Sequence, residues 1–296
     1  MPPRCIVECV WLRRRKDTGA CIARQGLFSD AKDGFVTLVI GHKGAAGLAP
    51  KNTLAAFRVA SDVGADGVEL DVRRTADGAL AVHHDAELPD GRVVATTGWS
   101  ELPDDVADLD AVLDVCEGLA MVNVEIKNWP ADVDYDDTLS VADAVVAALV
   151  PRSAAERERL VVSCFHLPTI DRVRELAPDL VTGWLVGLVG DDGGAAIVAR
   201  TVDQGHRALH PHHALVTPAL VERAHDEELA VNAWTCNDPE RIRWLAETGV
   251  DGIITDRPDI ALAALGRRGW PRAARHPRSQ VPPAKGRGNR FRNRNS

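Results

Sequence analysis

The chain of 296 residues contains six cysteines but no CxxC pair and no His–Cys spacing of the kind that ligates zinc. With that length it can bury a sizeable core without disulfides or a structural metal. Cys164 and Cys236 fall in strand-like runs and read as reduced packing residues, whereas Cys5, Cys9 and Cys21 belong to a leading segment with little pattern. Long apolar runs are also missing, and none approaches the roughly 20 residues that span a bilayer, so no integral membrane segment is expected. The stretch "CIVECVWL" is interrupted by Glu8 and followed, rather than preceded, by "RRRK", the wrong order for a secretory signal. The expectation is a cytoplasmic protein with residues 1–34 weakly ordered. Residues 267–296 lack acid altogether. They carry nine Arg and one Lys, so a net charge of −8 for the chain leaves about −18 for the remainder. Rich in Pro, Arg and Asn, this segment is expected to be a basic disordered tail able to touch anionic surfaces. A nucleic-acid partner is not expected.

What is present is a repeat. From residue 35 onward, short Val/Ile/Leu-rich runs alternate with stretches of helical length. The runs are 35–41, 66–72, 119–127, 159–165, 180–187, 205–210, 228–234 and 250–256; helices are expected over 52–64, 139–150, 167–176, 217–227 and 238–249. Thr217 and Asp238 read as N-caps, each followed by Pro, and Gly64 and Gly249 as C-terminal stops. Eight strands alternating with helices predict a TIM (β/α)8 barrel filling residues 35–266. An extra strand at 78–85 and a loop at 86–105 form a small insertion after strand 2. A doubly wound open sheet is the second reading, but no glycine-rich phosphate loop follows any strand.

Polar residues gather where the strands end. His42 and Lys43 follow the first strand; Glu69 and Asp71 alternate within "DGVELDV"; His84 and Asp85 end the extra strand; Glu125 and Lys127 repeat the alternation in "VNVEIK"; Trp234 ends the seventh. In a strand, Glu69 and Asp71 share one face while Val68, Leu70 and Val72 share the other. Two such carboxylates repel and are costly to desolvate, so a compensating charge is expected. Glu69, Asp71 and Glu125 offer hard oxygen ligands suited to a divalent cation, Mg²⁺ or Ca²⁺. Three negative charges, a divalent cation, Lys43 and Lys127 sum to a pocket of +1, matched to a singly charged phosphodiester. His42 and His84 are then placed as general acid and base.

The segments "GHKGAAGLAPKNTLAAF", "GADGVELDVRRTADGALAVHHDAEL", "VNVEIK" and "AVNAWTCNDPERIRWLAETGVDGIITDRPD" together resemble the glycerophosphodiester phosphodiesterase family, over about residues 36–262. The resemblance implies a TIM barrel with a small insertion, and metal-dependent hydrolysis of glycerophosphodiesters to sn-glycerol 3-phosphate and an alcohol. It implies His42 and His84 as the catalytic histidines, with His83 not matching; Glu69, Asp71 and Glu125 as metal ligands; Lys127 near the phosphate; and Trp234 against the substrate. The implied route is attack by the glycerol 2-hydroxyl, then opening of a cyclic phosphate by water.

Two positions depart from the family pattern. Lys43 stands where Arg is usual, which keeps the charge but loses the bidentate fork. Lys51 stands where Glu is usual, so the two lysines are expected to repel one another. A lineage variant that raises its rate on the double change Lys43→Arg with Lys51→Glu is one reading; a catalytically weakened phosphate-ligand binder is another. A lysophospholipase D-like activity is a third, for which "WLVGLVG" (184–190) would have to line a long apolar groove.

Overall fold

Alternation of β-branched runs with helices becomes a closed barrel in the computed structural model, which describes residues 36–267. Its first half runs β1 (Leu38–Gly41), α1 (Leu54–Val63), β2 (Gly67–Arg74), β3 (Leu80–Val82), α2 (Leu109–Val115), β4 (Met121–Ile126), α3 (Ser140–Leu149), α4 (Ala154–Arg157) and β5 (Leu160–Cys164). The second half runs α5 (Leu167–Leu176), β6 (Val181–Val186), α6 (Ala195–Asp203), β7 (Ala208–Pro211), α7 (Pro218–Asp226), β8 (Ala230–Ala233), α8 (Pro239–Thr248), β9 (Gly252–Thr255) and α9 (Pro258–Ala264). Strands pair in the order β1-β9-β8-β7-β6-β5-β4-β2, and β1 pairs with β2 to close the ring. All eight ring strands are parallel; β3 lies outside the ring, antiparallel to β2.

The strand faces divide as a barrel requires. Val68, Leu70 and Val72 point outward into the layer beneath the helices, where they meet Phe57 of α1 and Val112 of α2. Leu38, Ile40, Met121, Val161 and Ile254 fill the barrel interior. That plug leaves the opposite end free for polar groups. The predicted caps form: Thr217 and Asp238 accept from backbone N–H groups, and Gly64 and Gly249 adopt φ of 91° and 94°; Thr53, not singled out from the sequence, caps α1 in the same way.

Several boundaries differ from expectation. β2 runs to Arg74 because Val72, Arg73 and Arg74 pair with Val82, Ala81 and Leu80 of β3, so Glu69 and Asp71 are mid-strand rather than terminal. β3 covers only Leu80–Val82, and His84 and Asp85 follow it instead of ending it. The 86–105 insertion carries two 3-10 turns, Val94–Thr96 and Trp99–Glu101, over a small cluster of Ala81, Leu88 and Val94. Cys116, Cys164 and Cys236 are buried free thiols. Burial pushes the Cys116 and Cys164 thiols up to about 12, consistent with inert packing. Arg267 docks onto the barrel through two hydrogen bonds to Asp66, at 2.6 and 2.7 Å. The expectations for the leading segment, including Cys5, Cys9 and Cys21, and for the rest of the basic tail fall on residues outside those described. No helix among those described is long and apolar enough to cross a membrane.

Candidate active site

Alternation along two neighbouring strands assembles the site. Glu69 and Asp71 on β2 stand in register with Asn123 and Glu125 on β4, all facing the barrel interior. One oxygen from each of Glu69, Asp71 and Glu125 lies within 4.8 Å of the others. Glu69 Oε2 accepts the Lys43 backbone N–H at 2.8 Å, and Asp71 Oδ2 accepts from Asn52 Nδ2 at 2.7 Å. Glu69 Oε1 and Asp71 Oδ1 are buried with no hydrogen-bond partner among the described residues. Lys127 Nζ stands 3.6 Å from Asp71 Oδ1, an ion contact too long for a hydrogen bond.

The electrostatics express this crowding. Burial, then the adjacent Asp71, pushes Glu69 up to about 8. Asp71 shifts the other way. Burial opposes its charge most strongly, but Lys127 and Lys43, with smaller contributions from His84 and the Asn52 amide, outweigh it and hold the carboxyl below its usual range. Lysine covers Asp71, and Glu69, Asp71 and Glu125 together form a hard-oxygen donor set that could hold a divalent cation.

The loop after β1 delivers His42 and Lys43. Gly44 has φ of 82°, and a Cβ there would lie 2.6 Å from the Ala56 backbone, so only glycine permits this turn to tuck against α1. Lys43 itself takes φ of 51°, which aims its N–H at Glu69 and brings Nζ within 3.8 Å of Asp71. His42 Nδ1 is 2.6 Å from Asp256 Oδ1, leaving Nε2 3.9 Å from Glu69. Burial lowers the His42 pKa, but the Asp256 hydrogen bond and Glu69 more than offset it and the net shift is upward. Across the site, His84 Nδ1 meets Asp85 Oδ1 at 2.6 Å. Burial dominates there, and the His84 pKa falls below its ordinary value. The His84 hydrogen bond in turn holds Asp85 down at about 2.

His42, Lys43, Glu69, Asp71, His84, Glu125, Lys127 and Trp234, the eight residues singled out from sequence, all line one cavity of about 170 Å³. Lys127 Nζ donates to Glu125 Oε1 at 2.7 Å, and the surrounding carboxylates raise its pKa against the opposing effect of burial. Trp234 is fixed by its Nε1–H on the His210 carbonyl at 2.7 Å and stands edge-on to Phe165, ring centroids 5.3 Å apart. His83 turns away from the cavity and bonds the Asp85 carbonyl. Lys51 does not crowd Lys43 as expected: it is more than half exposed and pairs with Asp85 at 3.6 Å.

Sequence reasoning missed four contributors. Asp256 holds His42 and is itself gripped by Asn237, whose Nδ2 donates to Oδ2 at 2.6 Å. Asn52 holds Asp71. Phe165 walls the cavity. Arg73, buried on β2, donates to the His84 carbonyl at 2.9 Å and to Asp134 and Asp132 at 2.6 and 2.9 Å. The alternation Glu69–Asp71–Arg73 was a usable signal for Arg73. The other three sit in loops or at a strand end with no local pattern.

Comparison with known proteins agrees with the geometry. The family model described as glycerophosphoryl diester phosphodiesterase matches residues 42–260. A glycerophosphodiester phosphodiesterase of Caldanaerobacter subterraneus is 31% identical over 251 residues, covering 79% of this chain and 99% of that protein. The crystal structure of a glycerophosphodiester phosphodiesterase from Thermotoga maritima superposes with a TM-score of 0.64 at 28% identity, over 78% of this chain and 99% of that one. An Oleispira antarctica phosphodiesterase solved in complex with the product sn-glycerol-3-phosphate shares the fold, with a TM-score of 0.66 at 23% identity over 78% of this chain and 98% of the other. With the carboxylate triad and the histidine pair at the mouth of a closed eight-stranded barrel, the chain belongs to the glycerophosphoryl diester phosphodiesterase family and is a phosphoric diester hydrolase.

Proposed function

We propose that the protein hydrolyses glycerophosphodiesters to sn-glycerol 3-phosphate and an alcohol, with a divalent cation, Mg²⁺ or Ca²⁺, held by Glu69, Asp71 and Glu125. The observation that carries this is geometric: Glu69, Asp71 and Glu125 bring one carboxylate oxygen each within 4.8 Å of the others in a cavity that His42 and His84 also line, and each histidine is held by its own carboxylate, Asp256 or Asp85, at 2.6 Å. The directions of the two histidine shifts, His42 up and His84 down, are consistent with His42 as the acid and His84 as the base. A divalent cation in the triad would supply Lewis-acid stabilisation of charge developing on the phosphoryl oxygens.

The residues do the rest. Lys43 and Lys127 receive the anionic diester, and Trp234 packs against its glycerol. His84, neutral and oriented by Asp85, takes the proton from the glycerol 2-hydroxyl as that oxygen attacks phosphorus. His42, protonated and held by Asp256, gives its proton to the departing alcohol. Now neutral, His42 removes a proton from water as the water opens the cyclic phosphate, and His84 returns its proton to the 2-oxygen. Both histidines end as they began.

The test is release of glycerol 3-phosphate from glycerophosphocholine and glycerophosphoethanolamine with Mg²⁺, with Ca²⁺ and with EDTA, beside His42→Ala. Metal-dependent release lost in the variant is the expected outcome. Folded protein that binds these diesters without turnover in any metal would replace the enzyme by a phosphate-ligand binder.

A further inference from the structure

Beside the polar pocket lies a second, much larger cavity of about 950 Å³. The two adjoin: His84, Glu125, Lys127, Phe165 and Leu185 line both. Away from that shared rim much of the lining is apolar, with Trp129, Val133, Trp184, Val186, Leu188 and Ile197 beside a charged edge that includes Arg73 and Asp132. Three of these wall residues, Trp129, Val133 and Leu188, are large hydrophobics at 48%, 66% and 84% exposure, an arrangement that costs solubility unless something covers it.

The chemistry of the reaction says what covers it. A phosphodiester has two arms. The inner pocket, about 170 Å³ and ringed by the triad and both lysines, is matched to a phosphate with its glycerol and has no room for an extended chain. The larger cavity is what remains for the other arm. Resting on the diesterase reading above, we infer that the groove is the subsite for the leaving alcohol, and that this alcohol is uncharged with an extended apolar body.

Charge supports that choice. Charged groups on the lining largely pair with one another or with neighbours, Asp132 with Arg73 at 2.9 Å, Asp85 with His84 at 2.6 Å and Lys51 at 3.6 Å, and Lys127 with Glu125 at 2.7 Å, which leaves little net charge for an ionic alcohol. A quaternary ammonium would need free aromatic faces. Trp184 already lies under the Arg200 guanidinium, 5.8 Å from the ring centroid, and its Nε1–H is committed to the Phe165 carbonyl at 3.1 Å. Trp129 stands edge-on to Phe165, centroids 6.2 Å apart, and both rings add apolar area to the wall. The groove wall is also tied to the catalysis. Arg73 joins Asp132 and Asp134 of the segment carrying Trp129 and Val133 to the carbonyl of His84.

The experiment compares glycerophosphoryl ethyl, butyl, hexyl and octyl esters with glycerophosphocholine, in the metal-loaded enzyme and in Leu188→Asp. The expected result is kcat/KM rising along the alkyl series, by up to about fourfold per fully buried methylene, with a lower octyl-to-ethyl ratio in the variant. A flat series with the ethyl ester turned over, or a preference for the choline ester over the octyl, overturns the inference and leaves the diesterase standing. Failure of every ester would sink the diesterase reading itself, and binding then decides the groove. In His42→Ala, saturable quenching of tryptophan fluorescence by the octyl but not the ethyl ester, weakened by adding Leu188→Asp, upholds it; no such binding overturns it.

Discussion

The two sides of the barrel mouth are built from the same alternation of inward and outward residues, yet they differ in kind. On the β1, β2 and β4 side every inward group near the rim is ionisable or amidic: His42, Lys43, Glu69, Asp71, Asn123, Glu125 and Lys127. On the side of β5, β6 and β8 the rim presents Phe165, Leu185 and Trp234. One wall concentrates charge, and the other presents apolar and aromatic surface. The difference teaches where stability has been given up. The charged wall leaves Glu69 Oε1 and Asp71 Oδ1 orphaned, whereas the Trp234 indole is satisfied by the His210 carbonyl.

Disabling the charged wall has the largest expected effect. Glu69→Gln or Asp71→Asn is expected to lower metal-dependent turnover by on the order of 10³, measured as glycerol 3-phosphate release. The same wall makes a stability prediction. Because the folded Glu69 pKa, about 8, lies above its ordinary 4.5, the folded state holds an extra proton between those values. Stability of the metal-free protein therefore falls as pH rises through that window. Divalent cation should raise Tm more at pH 8 than at pH 6, and Glu69→Gln should abolish that difference.

Next come the histidines, where His42→Ala or His84→Ala should each cost roughly 10²–10⁴ in kcat. The pH–rate profile should be a bell, its acidic limb following His84 below the ordinary histidine value and its basic limb following His42 above it. Asp256→Asn removes a partner that raises His42, so the basic limb should move to lower pH with a loss of about tenfold. An unmoved limb would detach Asp256 from the tuning. On the other wall, Trp234→Leu should raise KM by about tenfold with little change in kcat, since it removes packing rather than charge. The smallest effect belongs to Lys51, whose exposed pair with Asp85 is worth roughly 0–1 kcal/mol. Lys51→Ala should change kcat/KM by less than about threefold, and a larger loss would show that the charge at that position matters.

Much of the barrel was legible because its signal is periodic. Eight hydrophobic runs and their helices repeat, and Glu69–Asp71 and Glu125–Lys127 break the inward face at the same height on adjacent strands. The helices α2, α4, α6 and α9 were given no bounds from the sequence. α6 follows the Gly-rich segment ending at Gly194, which reads as loop, and α9 is only seven residues long and lies at the end of the barrel. Calling β2 too short had a tertiary cause, since its last three residues become strand only by pairing with β3.

By itself the sequence determined the strand count, the inward carboxylates and the charge sum that calls for a cation, all properties of residues close along the chain. Which histidine is raised and which lowered was decided by tertiary structure alone. His42 meets Asp256 across 214 residues, and Asp71 meets Asn52 across 19. The apolar groove likewise exists only because the segment after β4 and the end of β6 face one another. A pKa and a cavity both depend on what surrounds a side chain in space, and barrel closure brings those surroundings from distant parts of the chain.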